Sequence, residues 1–205
     1  ALNDSIDKPL INRPIRGVYP PGSTFKPFVA LAGLEHGLRA PPFAIHDAGY
    51  FSLPNSTHRY RDWKPSGHGI VNMQKAITIS CDTFFYGLAM ELGIENLSNF
   101  VSHFSFGKKT GIDIQGENGG LLPTPDWKKR RYKQPWYQGD TVITGIGQGY
   151  TLATPMQLAY GTAILANGGV AMKPHLVTKT QNPLTGKTFI FPEVIQDNIM
   201  IHPDN

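Results

Sequence analysis

Apolar residues recur at helical spacing in several stretches of the chain. Phe25, Phe28, Leu31, Ala32 and Leu34 fall mostly on one side of a helix that opens at Gly22-Ser23 and stops at Gly37. Pro27 lies in its first turn, where a missing backbone N–H does least harm. Met73, Ala76 and Ile77 predict a short helix ending at Ser80. Asp82 or Thr83 then caps a longer one, with Phe85, Leu88, Ala89 and Leu92 on one face and Gly93 as its stop. Another helix is expected over 95–104. Thr154-Pro155-Met156-Gln157 opens the last apolar helix, which runs to Leu165.

The stretches between these helices lack such a period. Residues 1–22 read as an irregular lead-in rich in Pro, Asn and Asp, and 40–70 as long polar loops with one short hairpin. Residues 105–150, rich in Gly, Pro and basic groups, predict a long ordered loop region. Asn167-Gly168-Gly169 is a turn signal, and 170–180 predict a strand broken at Pro174. No repeat and no internal domain boundary is visible.

Composition narrows this reading only a little. A chain of 205 residues can bury one domain well, and 40% hydrophobic with 17% charged residues indicates a globular fold. The net charge of +4 favours acidic surfaces but is too small to specify nucleic acid. A lone Cys81 excludes an internal disulfide. The apolar run 84–92 is too short to cross a bilayer and contains Glu91. The chain opens Ala1-Leu2-Asn3 without Met, so a fragment is expected, with any membrane anchor upstream.

Ser23 and Lys26 supply the strongest chemical signal. Acyl transfer needs a nucleophile and a positioned base, and side chains three apart at a helix start lie within reach of each other. The positive helix end favours an alkoxide at Ser23 and disfavours a charged Lys26. The spacing alone is weak evidence, since Ser5–Lys8 and Ser105–Lys108 repeat it. Neither of those opens an apolar helix. The plain alternative for Ser23 is an ordinary helix cap.

Context decides between these. Gly17-Val18-Tyr19-Pro20-Pro21-Gly22-Ser23-Thr24-Phe25-Lys26-Pro27-Phe28 resembles the nucleophile segment of class B penicillin-binding proteins. Ser80-Cys81-Asp82, 57 residues on, matches the second of the superfamily's motifs, S-x-x-K, S-D-N and K-T-G. Gly147-Gln148-Gly149 and Thr154-Pro155-Met156-Gln157 match further blocks. Arg59-Tyr60-Arg61-Asp62-Trp63 and the 133–140 stretch are similar to the elongation-type members of Gram-negative bacteria.

The resemblance implies an α/β (α+β) penicillin-binding transpeptidase fold, like that of serine β-lactamases, with an antiparallel sheet flanked by helices. It implies a peptidoglycan D,D-transpeptidase that acts at the periplasmic face of the inner membrane and is acylated by β-lactams. Its partners would be stem peptides, a glycan polymerase and membrane proteins of the elongation complex. Ser23 would be the nucleophile, Lys26 the base, Ser80 the proton relay, and Asp82 a partner of Lys26. D,D-carboxypeptidases, β-lactamase-like hydrolases and a non-catalytic scaffold module are the alternatives.

Two departures qualify the match. Most of the superfamily has Asn where this chain has Asp82, and a carboxylate cannot donate to a substrate carbonyl. Lys109-Thr110-Gly111 spells the third motif but leads into Ile112-Asp113, as in the family's Gly-rich loop rather than a sheet-edge strand. The true third-motif strand is expected after residue 205 and the first strands before residue 1, leaving 1–205 as a partial transpeptidase domain.

Other constellations carry weaker signals. Asp47, Asp62, His68 and Cys81 offer two oxygens, a nitrogen and a sulfur, a set suited to tetrahedral zinc. Some elongation-type members carry zinc in this insert. Four protein ligands would make the site structural, so no cofactor is expected for catalysis. His46 and His58 compete as ligands, and a small buried thiol is the plain reading of Cys81. The basic run 128–133 reads as a solvated loop face or as a contact for anionic cell-wall polymer or lipid headgroups. Trp127, Trp136 and Tyr137 either line a peptide groove or pack the loops together.

Overall fold

The computed structural model describes residues 10–205, so Ser5 and Lys8 lie outside the described residues. A single helical turn, α1 (Arg13–Arg16), interrupts the expected irregular lead-in. A 3-10 turn over Gly22–Phe25 runs straight into α2 (Lys26–Glu35). The insert that follows holds β1 (Ala44–Asp47), β2 (Tyr50–Phe51), β3 (Tyr60–Arg61) and β4 (Gly69–Asn72). Next come α3 (Met73–Thr78), α4 (Asp82–Ser102), α5 (Pro125–Tyr132), α6 (Gln138–Thr144) and α7 (Pro155–Ala166). Strands β5 (Val170–Met172), β6 (Lys179–Gln181), β7 (Thr188–Ile190) and β8 (Ile195–Asn198) follow.

Helix α2 is the centre of the core. Phe28, Val29, Ala30, Leu31 and Ala32 are all buried, so the helix is enclosed on nearly every side rather than on one stripe. It packs on α4 through Phe84, Phe85, Leu88, Ala89 and Leu92. Gly33 permits the close approach, because a Cβ there would lie 2.8 Å from Leu88 Cδ1. Phe28 meets Phe104 and Phe106 edge-on, with ring centroids 5.2 and 4.9 Å away. Each such ring removed from water stabilises the fold by about 1.5–3 kcal/mol.

The predicted helices form, with small shifts at their ends. The backbone of α4 breaks at Gly93, with φ 73° and ψ 156°, where the sequence predicts a stop. Its cap is Cys81, one residue earlier than expected, which leaves Asp82 in the first turn beside the exposed N–H groups. Helix α7 opens on a capping box: Thr154 Oγ1 accepts from Gln157 N, and Gln157 Oε1 accepts from Thr154 N. The Gln157 amide also donates toward the carbonyls of Ser105, Lys108 and Gly119, pinning the loop that precedes α5.

Two regions hold more structure than the sequence predicts. The 40–70 insert contains two antiparallel ladders, β1–β4 and, within it, β2–β3. The 105–150 region contains α5 and α6. These are built by local capping, with Thr124 Oγ1 accepting from Trp127 N and a Tyr137–Asp140 box at α6, rather than by apolar periodicity. Among the described residues the strands form four two-stranded antiparallel sheets, including β5–β8 and β6–β7. Thr110 is buried and donates from both N and Oγ1 to Glu117 Oε1, so Lys109-Thr110-Gly111 forms a folded loop and no strand. No helix of the described residues is long and apolar enough to cross a membrane.

Candidate active site

The 3-10 turn presents Ser23 at the surface and sends Lys26 into the protein, where only 1% of it stays exposed. Gly22 N–H donates to Gly147 O at 2.9 Å, so the Gly147-Gln148-Gly149 loop braces the turn. A Cβ at Gly147 would lie 2.5 Å from Gly22 O, which explains why this loop needs glycine. The second strip of the site is the short link between α3 and α4. Ser80 sits there with φ 57°, a left-handed conformation that is rare for a residue with a Cβ.

Ser80 Oγ bridges the other two groups. It donates to Ser23 Oγ at 2.8 Å and accepts from Lys26 Nζ at 3.0 Å. Lys26 Nζ also donates to Ser80 O at 2.8 Å and Asp82 Oδ1 at 2.6 Å. Three acceptors thus meet the three N–H bonds of an ammonium. This corrects the expected direct Ser23–Lys26 hydrogen bond, because among the described residues the connection runs through Ser80. The Phe85 ring lies 5.5 Å from Nζ and favours the cation as well. Helix α4 supplies both Asp82 and Phe85 from its first turn.

Three successive residues of the insert tie it to this link and to the first turns of α4. Tyr86 OH donates to Arg61 O, Thr83 N donates to Asp62 Oδ2, and Trp63 Nε1 donates to Ile79 O. Behind the link, one ligand atom each from Asp47, Asp62, His68 and Cys81 lies within 4.8 Å of the others. Asp47 Oδ2 meets His68 Nδ1 at 2.7 Å and the Cys81 thiol at 3.5 Å. Burial acts to raise the Asp47 carboxyl, but N–H donors from Gly49 and His68 hold it below its ordinary value. Burial, with the charges of Asp62 and Asp47, pushes the Cys81 thiol up to about 12. His68 Nε2 is buried without a hydrogen-bond partner. His46 and His58 are exposed and outside this group.

The profile of the penicillin binding protein transpeptidase domain matches residues 2–200. The chain belongs to the penicillin-binding protein transpeptidase family. Among its relatives is the peptidoglycan D,D-transpeptidase MrdA of Acinetobacter baumannii, 52% identical over 180 residues, which cover 88% of this chain and 27% of that protein. The chain therefore spans about a quarter of the length of that relative. Pseudomonas aeruginosa PBP2 in complex with WCK 5153 superposes with a TM-score of 0.83 at 49% identity, over 96% of this chain and 45% of that one. Helicobacter pylori PBP2, solved in a complex with MreC, gives 0.82 at 38% identity, over 96% and 35%. The penicillin-binding transpeptidase fold is thus shown.

The remaining predicted residues of this penicillin-binding transpeptidase chain divide clearly. Ser105 and Lys108 lie in the loop held by Gln157 and take no part in the Ser23 cluster. The basic run 128–133 lies mostly on α5 rather than on a loop; its residues 129–133 are exposed, as a solvated face requires, and Lys128 alone is buried. Trp127 packs edge-on against Tyr132 and Tyr150, and Trp136 Nε1 donates to Thr141 Oγ1, so both tryptophans pack the loops together. Sequence reasoning gave no role to Gly147 or to Trp63. Both lay inside quoted blocks, but nothing in the one-dimensional pattern placed them against Gly22 and Ile79.

Proposed function

We propose that the chain carries the nucleophile half of a peptidoglycan D,D-transpeptidase centre, with Ser23 as the acylated residue. The observation that carries this is the Ser23–Ser80–Lys26 chain of hydrogen bonds, 2.8 and 3.0 Å long. Ser23 Oγ attacks the carbonyl of the penultimate D-Ala of a stem peptide. Its proton passes to Ser80 Oγ, whose own proton passes to Lys26 in the neutral form. The D-Ala–D-Ala peptide bond then breaks, and the leaving amine is protonated through Ser80. An amine of a neighbouring stem peptide next attacks the acyl ester and frees Ser23. Asp82 holds Lys26 in place and, as an anion, opposes its loss of charge, so the neutral form requires substrate to reorganise this pair.

The MrdA relatives, by name peptidoglycan D,D-transpeptidases, support the cell-wall substrate, and on this reading the enzyme acts at the periplasmic face of the inner membrane. The PBP2–MreC complex supports a partner in the elongation complex, and a similar peptidoglycan synthase complex that coordinates polymerization and crosslinking supports a glycan polymerase beside it. The third-motif strand and the first strands of the sheet belong, on this reading, to sequence outside 1–205. Fluorescent penicillin tests the assignment in the full-length protein. It should label the parent covalently and leave Ser23→Ala unlabelled; undiminished labelling of Ser23→Ala refutes it.

Zinc at Asp47, Asp62, His68 and Cys81 is a second element of the proposal. His68 Nδ1, 2.7 Å from Asp47 Oδ2 and 3.6 Å from Asp62 Oδ1, and a buried thiol beside the same two buried carboxylates fit a thiophilic divalent cation. Its contribution would be structural, cross-linking the insert to the head of α4, and no step of acyl transfer passes through it. Purified parent should hold about one zinc per chain, and Cys81→Ser should hold much less and unfold at lower temperature. A fully folded parent without metal would exclude the site.

A further inference from the structure

Adjacent residues of the insert grip the Ser80 link from its two ends. Asp62 Oδ2 accepts from Thr83 N at 3.1 Å, past Ser80, and Trp63 Nε1 donates to Ile79 O at 3.1 Å, just before it. The Ile79 carbonyl belongs to the peptide plane whose rotation about the next N–Cα bond is φ of Ser80. That angle is 57°, the left-handed close of α3, in which Cys81 N–H also donates to Ala76 O at 2.9 Å, so the indole bond adds to a turn already made by the backbone. Trp63 is 62% exposed, yet its N–H is spent on this carbonyl and its ring rests on His68 with centroids 5.2 Å apart. Burial of the indole therefore does not account for its placement.

We propose that Trp63 is a positioning residue for Ser80: its indole N–H fixes the Ile79–Ser80 peptide plane, and so aims Ser80 Oγ between Ser23 Oγ and Lys26 Nζ. The inference rests on the reading above, in which Ser23 loses its proton through Ser80. Without the indole donor, the backbone close of α3 remains but the Ile79–Ser80 peptide plane is free to tilt, and the Ser80 hydroxyl leaves the line between the two groups. The first chemical step then slows, while substrate binding is untouched.

Stopped-flow acylation of the full-length protein by fluorescent penicillin separates these effects. Trp63→Phe keeps a ring and removes the donor. It should lower the limiting acylation rate about 3- to 10-fold, the range expected for one hydrogen bond, with the dissociation constant of the initial complex and the unfolding midpoint unchanged. In a Ser80→Ala background, which has no hydroxyl to aim, Trp63→Phe should cause no further loss. An acylation rate equal to the parent's overturns the proposal. So does a change confined to initial binding, which would make the indole a wall of the groove, and so does a full additional loss beside Ser80→Ala. Ser23→Ala separates the two levels: persistent labelling there overturns the underlying acyl-transfer reading, whereas an inert Ser23→Ala with an unmoved Trp63→Phe overturns the positioning role alone.

Discussion

Lys26 and Lys128 are both buried ammonium groups, and each is held by one carboxylate and by aromatic faces. Lys26 gives two of its hydrogen bonds to Ser80 and so belongs to the site. Lys128 meets Asp140 at 2.5 Å and lies 4.4 Å from the Tyr137 ring centroid. Its role is to lock α5 to α6. Removing one partner of such a pair strands a charge away from water. Asp140→Ala should therefore destabilise the folded protein by roughly 3 kcal/mol, read as a lower urea midpoint with unchanged slope. Lys128→Met combined with Asp140→Leu should recover most of that loss, because no buried charge is left unpaired.

Among the elements, α4 does the most to assemble the site. Its first turn carries Asp82 and Phe85 to Lys26, and its middle buries Leu88 and Ala89 against the core. Gly93 then redirects the chain at φ 73° and ψ 156°, angles that essentially only glycine adopts, and a Cβ there would meet no atom within 4 Å. Gly93→Ala thus isolates the cost of the backbone conformation from any clash. The expected loss is about 1–3 kcal/mol in chemical denaturation, with acylation at Ser23 unchanged. The helices with apolar periodicity, α2, α3, α4 and α7, were legible in the sequence because burial on one side or all round imposes that period. Helices α5 and α6 were not. Their sequences are polar, and their stability comes from caps, a buried ion pair and aromatic packing that only neighbours in space supply.

At the scale of the whole molecule, the site joins three distant stretches: the turn after Pro21, the α3–α4 link, and the insert between them. A hydroxyl at 23 and a hydroxyl at 80 come within 2.8 Å only because α2 and α4 pack side by side. The motif blocks themselves, their order and the family they indicate were readable from residue types alone. The four metal-type ligands were also named from the sequence as one set, and the fold brings an atom of each within 4.8 Å of the others. Spacing along a helix also suggested a direct Ser23–Lys26 bond, and tertiary packing replaced it with a bridge through Ser80.

Local chemistry explains what could be known in advance. Helix periods, caps, turn glycines and the Ser-x-x-Lys pair all depend on residues a few positions apart, so the order of residues alone determines them. Which acceptors fill the Lys26 ammonium, which histidine faces the thiol and which indole grips the Ser80 link depend on contacts between remote segments. Those contacts exist only once the helices have packed, because burial of the shared apolar core is what brings the segments together.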